Sequence, residues 1–140
     1  VELNTMEMRM LMLGQQKGSK DVKAHASHML ADHKKMATTV TTYLKNKNLT
    51  IDPDTTDRDT DFRDRQAGAD FDRAFADRMV SDHEKTIRVF EDAQDDVKDP
   101  ELKTMISTTL PKLRAHLDMS REMQNKLNRG SENTNTGTNR

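Results

Sequence analysis

The chain has 140 residues, with 23 basic against 24 acidic side chains, a net charge of -1 and no cysteine. That excludes disulfide frameworks, iron–sulfur ligation and thiol catalysis, and it leaves no net positive field with which to grip nucleic acid. Five Gly, three Pro and 4% aromatic residues argue against a β-rich domain and for one all-α domain of long helices around one core.

Taken in chain order, residues 2–17 carry Leu3, Met6, Met10 and Leu13 at steps of three and four, the spacing of one helix face. On that helix Met6 and Met10 are expected in the core, and Met8 and Met12 toward solvent. Gly18 and Ser19 break the run, with Ser19 placed to cap the next helix. Residues 20–47 repeat the spacing through Val22, Ala26, Met29, His33, Met36, Val40 and Leu44. Residues 48–67 hold Pro53 and an Asp-rich run, and read as an acidic crossover with a short helical turn around 58–66. Asp57-x-Asp59-x-Asp61 imitates the start of a calcium loop. Phe62 then stands where glycine is needed and Gly68 where glutamate is needed, so a solvated acidic connection is the reading.

Residues 70–97 form the third helix, capped by Asp70 and lined by Phe71, Phe75, Met79, Asp82 and His83, Thr86, Phe90, Ala93 and Val97. Asp99-Pro100-Glu101 starts the fourth, which keeps Leu102, Ile106, Thr109, Leu113, His116, Ser120, Met123 and Leu127 in phase to about residue 129. Pro111 should bend it locally. The Asn/Thr/Ser-rich stretch 130–140 reads as a flexible polar tail. Two short turns and one long crossover between helices two and three predict a ferritin-like antiparallel four-helix bundle over 1–129.

One internal echo bears on function. Met29-Leu30-Ala31-Asp32-His33 and Met79-Val80-Ser81-Asp82-His83 share a pattern on different helices at the same phase. Taking both short turns to lie at one end of the bundle, a rise of about 1.5 Å per residue puts Glu7, His33, His83 and His116 roughly 16–26 Å from them. One layer can then hold all four, one from each helix, with Asp32 and Asp82 in support. Imidazole and carboxylate donors suit one transition metal, Fe, Cu or Zn. The same layer also reads as a buried polar network that fixes helix register. A carboxylate-bridged di-iron site is disfavoured, because Leu30, Val80 and Leu113, not Glu, stand three residues before the three histidines. His25 and His28 lie off the stripe and read as surface residues, though His28 and Asp32, four apart, could hold an adventitious ion. Ten methionines read mainly as adaptable core filler. Neither a phosphate loop nor an activated nucleophile is present, so no catalytic residue is assigned.

The order Met29-Leu30-Ala31-Asp32-His33, Gly68-Ala69-Asp70-Phe71-Asp72-Arg73-Ala74-Phe75, Met79-Val80-Ser81-Asp82-His83 and Thr109-Leu110-Pro111-Lys112-Leu113-Arg114-Ala115-His116-Leu117, with Glu7 ahead of it, resembles a bacterial family of ferritin-like domains of unknown function. The resemblance spans roughly residues 5–125. Members are often labelled outer-membrane or periplasmic proteins, which implies export to the cell envelope, with any signal or lipid anchor lying before Val1. Arg9 stands where members usually carry a second acid. The expected function is a non-enzymatic envelope module that binds an envelope partner or self-associates. The alternative is a periplasmic metal-binding protein for storage, buffering or stress. No apolar run approaches the roughly 18 residues of a membrane span.

Overall fold

The computed structural model describes residues 2–49, 62 and 64–135, with side chains described for 4–49, 62 and 64–130. Among these residues there are four long helices and no strand: α1 (Glu2–Lys17), α2 (Lys20–Asn46), α3 (Ala69–Asp96) and α4 (Pro100–Asn135). The chain is an all-α helical bundle. α1 packs closely on α2 and α3 on α4, while α1 also touches α3 and α2 touches α4. None of the described helices is long and apolar enough to cross a membrane. Phe62 and Asp64 are helical; most of the acidic crossover, including the Asp57–Asp61 pattern, lies outside the described residues. So does 136–140, while α4 runs on through 130–135.

The expected stripes are buried in phase. Met10, Val22, Ala26, Met29, Phe71, Phe75 and Met79 are fully or almost fully covered, and Ile106, Leu113 and Met123 are buried on α4. Met12 is exposed as expected, but Met6, expected in the core, is only half-buried, and Met8 packs against the core. The apolar interior falls into two clusters. One joins Met10, Leu11, Met29, Phe71, Phe75 and Met79 with neighbours from all four helices. The other is built on Ile87, Ile106, Leu110, Leu113 and Leu117. His33 follows Met29 and Leu30 of the first cluster, His83 lies between Met79 of the first and Ile87 of the second, and His116 lies within the last turn of the second, ahead of Met119 and Met123 of the first.

Two bonds fix the direction of the helices. The backbone N–H of Ser19, at the start of α2, donates to Asp72 Oδ1 near the start of α3 (3.2 Å). Tyr43, near the end of α2, donates its hydroxyl to Asp99 in the α3–α4 turn (2.7 Å), and Lys47 pairs with the same carboxylate at 3.4 Å. α2 and α3 therefore begin at one end of the bundle and finish at the other. This corrects the expectation that both short turns share an end: the crossover carries the chain back to where α2 began, so the turns lie at opposite ends. The layer survives this correction. A helix of 27 or 28 residues is about 40 Å long, and depths counted from either end meet near its middle.

The caps differ in part from expectation. Asp99 does begin α4, accepting the Glu101 N–H at 3.0 Å. Ser19 occupies the cap position of α2 but makes no side-chain cap bond; the buried Asp72 carboxylate serves that end from the neighbouring helix. Asp70 does not cap α3. The helix begins a residue earlier, Gly68 precedes it at φ 148°, and Asp70 pairs with Arg73 at 2.6 Å. That φ is open to glycine and strained for other residues.

Gly14 makes the α1–α3 contact possible. A Cβ there would stand 2.6 Å from Phe75 Cε2 and 3.1 Å from Ala26 Cβ. Phe75 is fully buried and stacks on Phe71, so its ring has little room to retreat. A Cβ added at Gly130, by contrast, would meet nothing within 4 Å outside its own helix backbone. Gly14→Ala should destabilise the fold by about 1–3 kcal/mol through overpacking. Gly130→Ala should be neutral or stabilise it by up to about 1 kcal/mol through helix propensity. Calorimetric melting of the two variants checks both.

Candidate metal centre

α2, α3 and α4 each bring one histidine to the middle of the bundle. His33, His83 and His116 are 2–3% exposed. Their ring centroids are 5.4–5.7 Å apart, and one ring nitrogen from each lies within 4.8 Å of those of the other two. The phase of the apolar stripes accounts for this. Each histidine replaces an aliphatic residue in its helix stripe, so it is drawn inward with that face.

Each ring is held by one nitrogen. His33 Nδ1 donates to Asn4 Oδ1 at 2.7 Å, and Asn4 returns a bond from Nδ2 to the His33 carbonyl at 3.1 Å. His83 Nδ1 donates to the Met79 carbonyl at 2.7 Å. His116 Nε2 donates to Asp32 Oδ2 at 2.8 Å. With those protons placed, each neutral ring keeps a lone pair on its other nitrogen. These second nitrogens, His33 Nε2, His83 Nε2 and His116 Nδ1, are buried without a hydrogen-bond partner. A buried acceptor left this way costs roughly 1–3 kcal/mol.

Burial keeps the rings neutral. It pushes His33 down to about 3, with neighbouring His83 and His116 adding to the effect. It pushes His83 down to about 4, against the bond to Met79. Burial also lowers His116, and the Asp32 hydrogen bond opposes it. The same bond holds Asp32 below the usual carboxylate range.

All four sequence-derived positions, Glu7, His33, His83 and His116, come together. Glu7 is buried on α1, with Oε1 3.5 Å from His83 Nδ1. It thus approaches the nitrogen already engaged by Met79, and the three-histidine group forms without it. Of the two expected supporting acids, Asp32 reaches His116. Asp82 turns to Arg78 on its own helix at 2.8 Å. His28 is exposed as expected. His25 is half-buried, set edge-on to Phe75 with Nε2 3.4 Å from Ser120 Oγ, and burial pushes it down to about 4.

Asn4 escaped the sequence reading. Its signal is its spacing, three residues before Glu7 on the same helix face.

Three neutral imidazoles, each held through one nitrogen, form a ligand set for a borderline transition metal. At the 4.8 Å limit, a central point lies ~2.8 Å from each nitrogen. Zinc–imidazole bonds are ~2.0–2.1 Å, so each ring nitrogen would close in by about 0.7–0.8 Å to bind. A water molecule has two protons to offer three lone pairs, and a cation accepts all three.

Residues 1–123 match the family model described as domain of unknown function, DUF4142, and the chain belongs to that family. No curated protein and no solved structure matches the chain.

Because these histidines are neutral when folded and titrate near 6.5 when unfolded, the unfolded chain binds more protons below that pH. Stability from this source is complete above about pH 6.5 and is lost as pH falls toward about 3 to 4. Melting of the metal-free protein should therefore drop by on the order of 10 °C between pH 7 and pH 4. His33→Gln should flatten that slope, as followed by circular dichroism.

Proposed function

We propose that this DUF4142 protein binds one divalent transition metal between His33, His83 and His116 and serves in metal storage, buffering or stress protection. The observation that carries the reading is the division of labour within each ring, one nitrogen anchored by protein and the other buried without a hydrogen-bond partner, in three rings that bring one nitrogen each within 4.8 Å of one another. Nitrogen donors without thiolate favour Fe, Cu or Zn over softer chemistry. Asp32, ionised against His116, offsets part of the charge of a divalent ion from outside the ligand set. Glu7 adds a second carboxyl group beside His83. Three protein ligands leave a fourth position for water or an exchangeable ligand.

The proposal includes a ferritin-like antiparallel arrangement, supported by the shared direction of α2 and α3 and by the two short turns. It also includes the envelope location that the family resemblance implies. In the alternative, the Glu/His layer is structural, and the bundle is a non-enzymatic module for an envelope partner or for self-association.

Elemental mass spectrometry after incubation with Fe(II), Cu(II) or Zn(II) and desalting should find about one ion per chain. His33→Ala and His116→Ala should lose it while remaining helical. Asn4→Ala, which frees the His33 ring, should weaken binding by about 10–100-fold. A folded wild-type protein that retains no ion would overturn the reading and return the layer to a structural role.

A further inference from the structure

All five histidines of the chain lie in one connected group, and it reaches the surface between α2 and α4. His28 has a side chain 60% exposed and Asp32 one 29% exposed. Asp32 Oδ2 lies 3.7 Å from His28 Nε2 and 2.8 Å from His116 Nε2. The His28 and His116 ring centroids are 6.4 Å apart. A single carboxylate oxygen thus faces an exposed imidazole on one side and a member of the buried triad on the other.

We propose that His28 and Asp32 form an outer loading site, which captures a divalent transition ion from solvent and passes it to the triad. The proposal rests on the metal-binding reading above. His28 and Asp32 are four residues apart on one helix, so their side chains share a face. Imidazole nitrogen and carboxylate oxygen both bind such ions at about 2.0–2.2 Å, and donors 3.7 Å apart can close on one ion. The oxygen that would receive the ion is also the acceptor that fixes His116. An ion bound there withdraws that acceptor and frees the His116 ring to turn. The ring separates the two positions: Nε2 points to Asp32, and Nδ1 is the buried nitrogen without a partner. Turning it presents a ligand nitrogen to the captured ion, and turning it back delivers the ion inward. His28 takes part in capture and has no place in the final ligand set.

The test is stopped-flow uptake of Co(II), followed by its visible absorption, in wild type, His28→Ala, His28→Asp and His33→Ala. His28→Ala should slow uptake at least tenfold and slow release to a chelator by a similar factor. Stoichiometry should stay at one, and Kd within threefold. His28→Asp, which restores a ligand, should recover most of the rate. His33→Ala should lose equilibrium binding. Wild-type uptake kinetics in His28→Ala, with wild-type stoichiometry, would overturn the loading site and leave the triad intact. Loss of equilibrium binding in a folded His28→Ala would also overturn it, by making His28 a final ligand. A wild type that takes up no Co(II) would overturn this inference together with the metal-binding reading.

Discussion

The rest of the structure depends on keeping three imidazoles neutral and oriented in a space with little water. Desolvation removes their protons, but neutrality alone does not aim a ring. The aiming comes from hydrogen bonds made by the nitrogens that carry protons: Asn4 for His33, the Met79 carbonyl for His83 and Asp32 for His116. Two of these bonds cross between helices. Asn4 ties α1 to α2, and Asp32 ties α2 to α4. Glu7 brings α1 to α3 beside His83. The polar layer is thus also a set of cross-links at the level where the two apolar clusters give way to each other.

That arrangement explains how a polar chain supports a buried site. Close packing joins the helices: Gly14 lets α1 approach Ala26 of α2 and Phe75 of α3, and α3 and α4 share the second cluster. Apolar burial is non-directional and would tolerate several alignments of one helix against another. Hydrogen bonds with defined partners are far less tolerant, because a displaced ring leaves both itself and its partner unsatisfied.

Much of this was legible in the sequence, for a physical reason. Helical periodicity reports which residues face inward, and Glu7, His33, His83 and His116 all lie on inward faces. Periodicity does not report which neighbour an inward or flanking residue meets. Asp32 and Asp82 occupy equivalent places in nearly the same local motif, yet one reaches a buried histidine on α4 and the other an arginine one turn away. The cap of α2 shows the same limit. Its acceptor comes from Asp72, 53 residues along the chain, where a local reading would choose Ser19. Half-burial of His25 follows from Phe75 and Ser120 beside it, neither of which is near in sequence.

The ties at the two ends of α2 bear on how this molecule can move. Its first turn is bonded to α3 through Asp72, and its last to the α3–α4 turn through Tyr43 and Lys47. The fixed points are about 40 Å apart along a stiff rod of 27 residues. A rod pinned at both ends to the same body cannot slide along its own axis. What remains soft is bowing of its middle and rotation of side chains, and the middle is where His28, Asp32 and His33 sit. A piston-like stroke of α2 past α3 is thereby opposed at both ends of the helix.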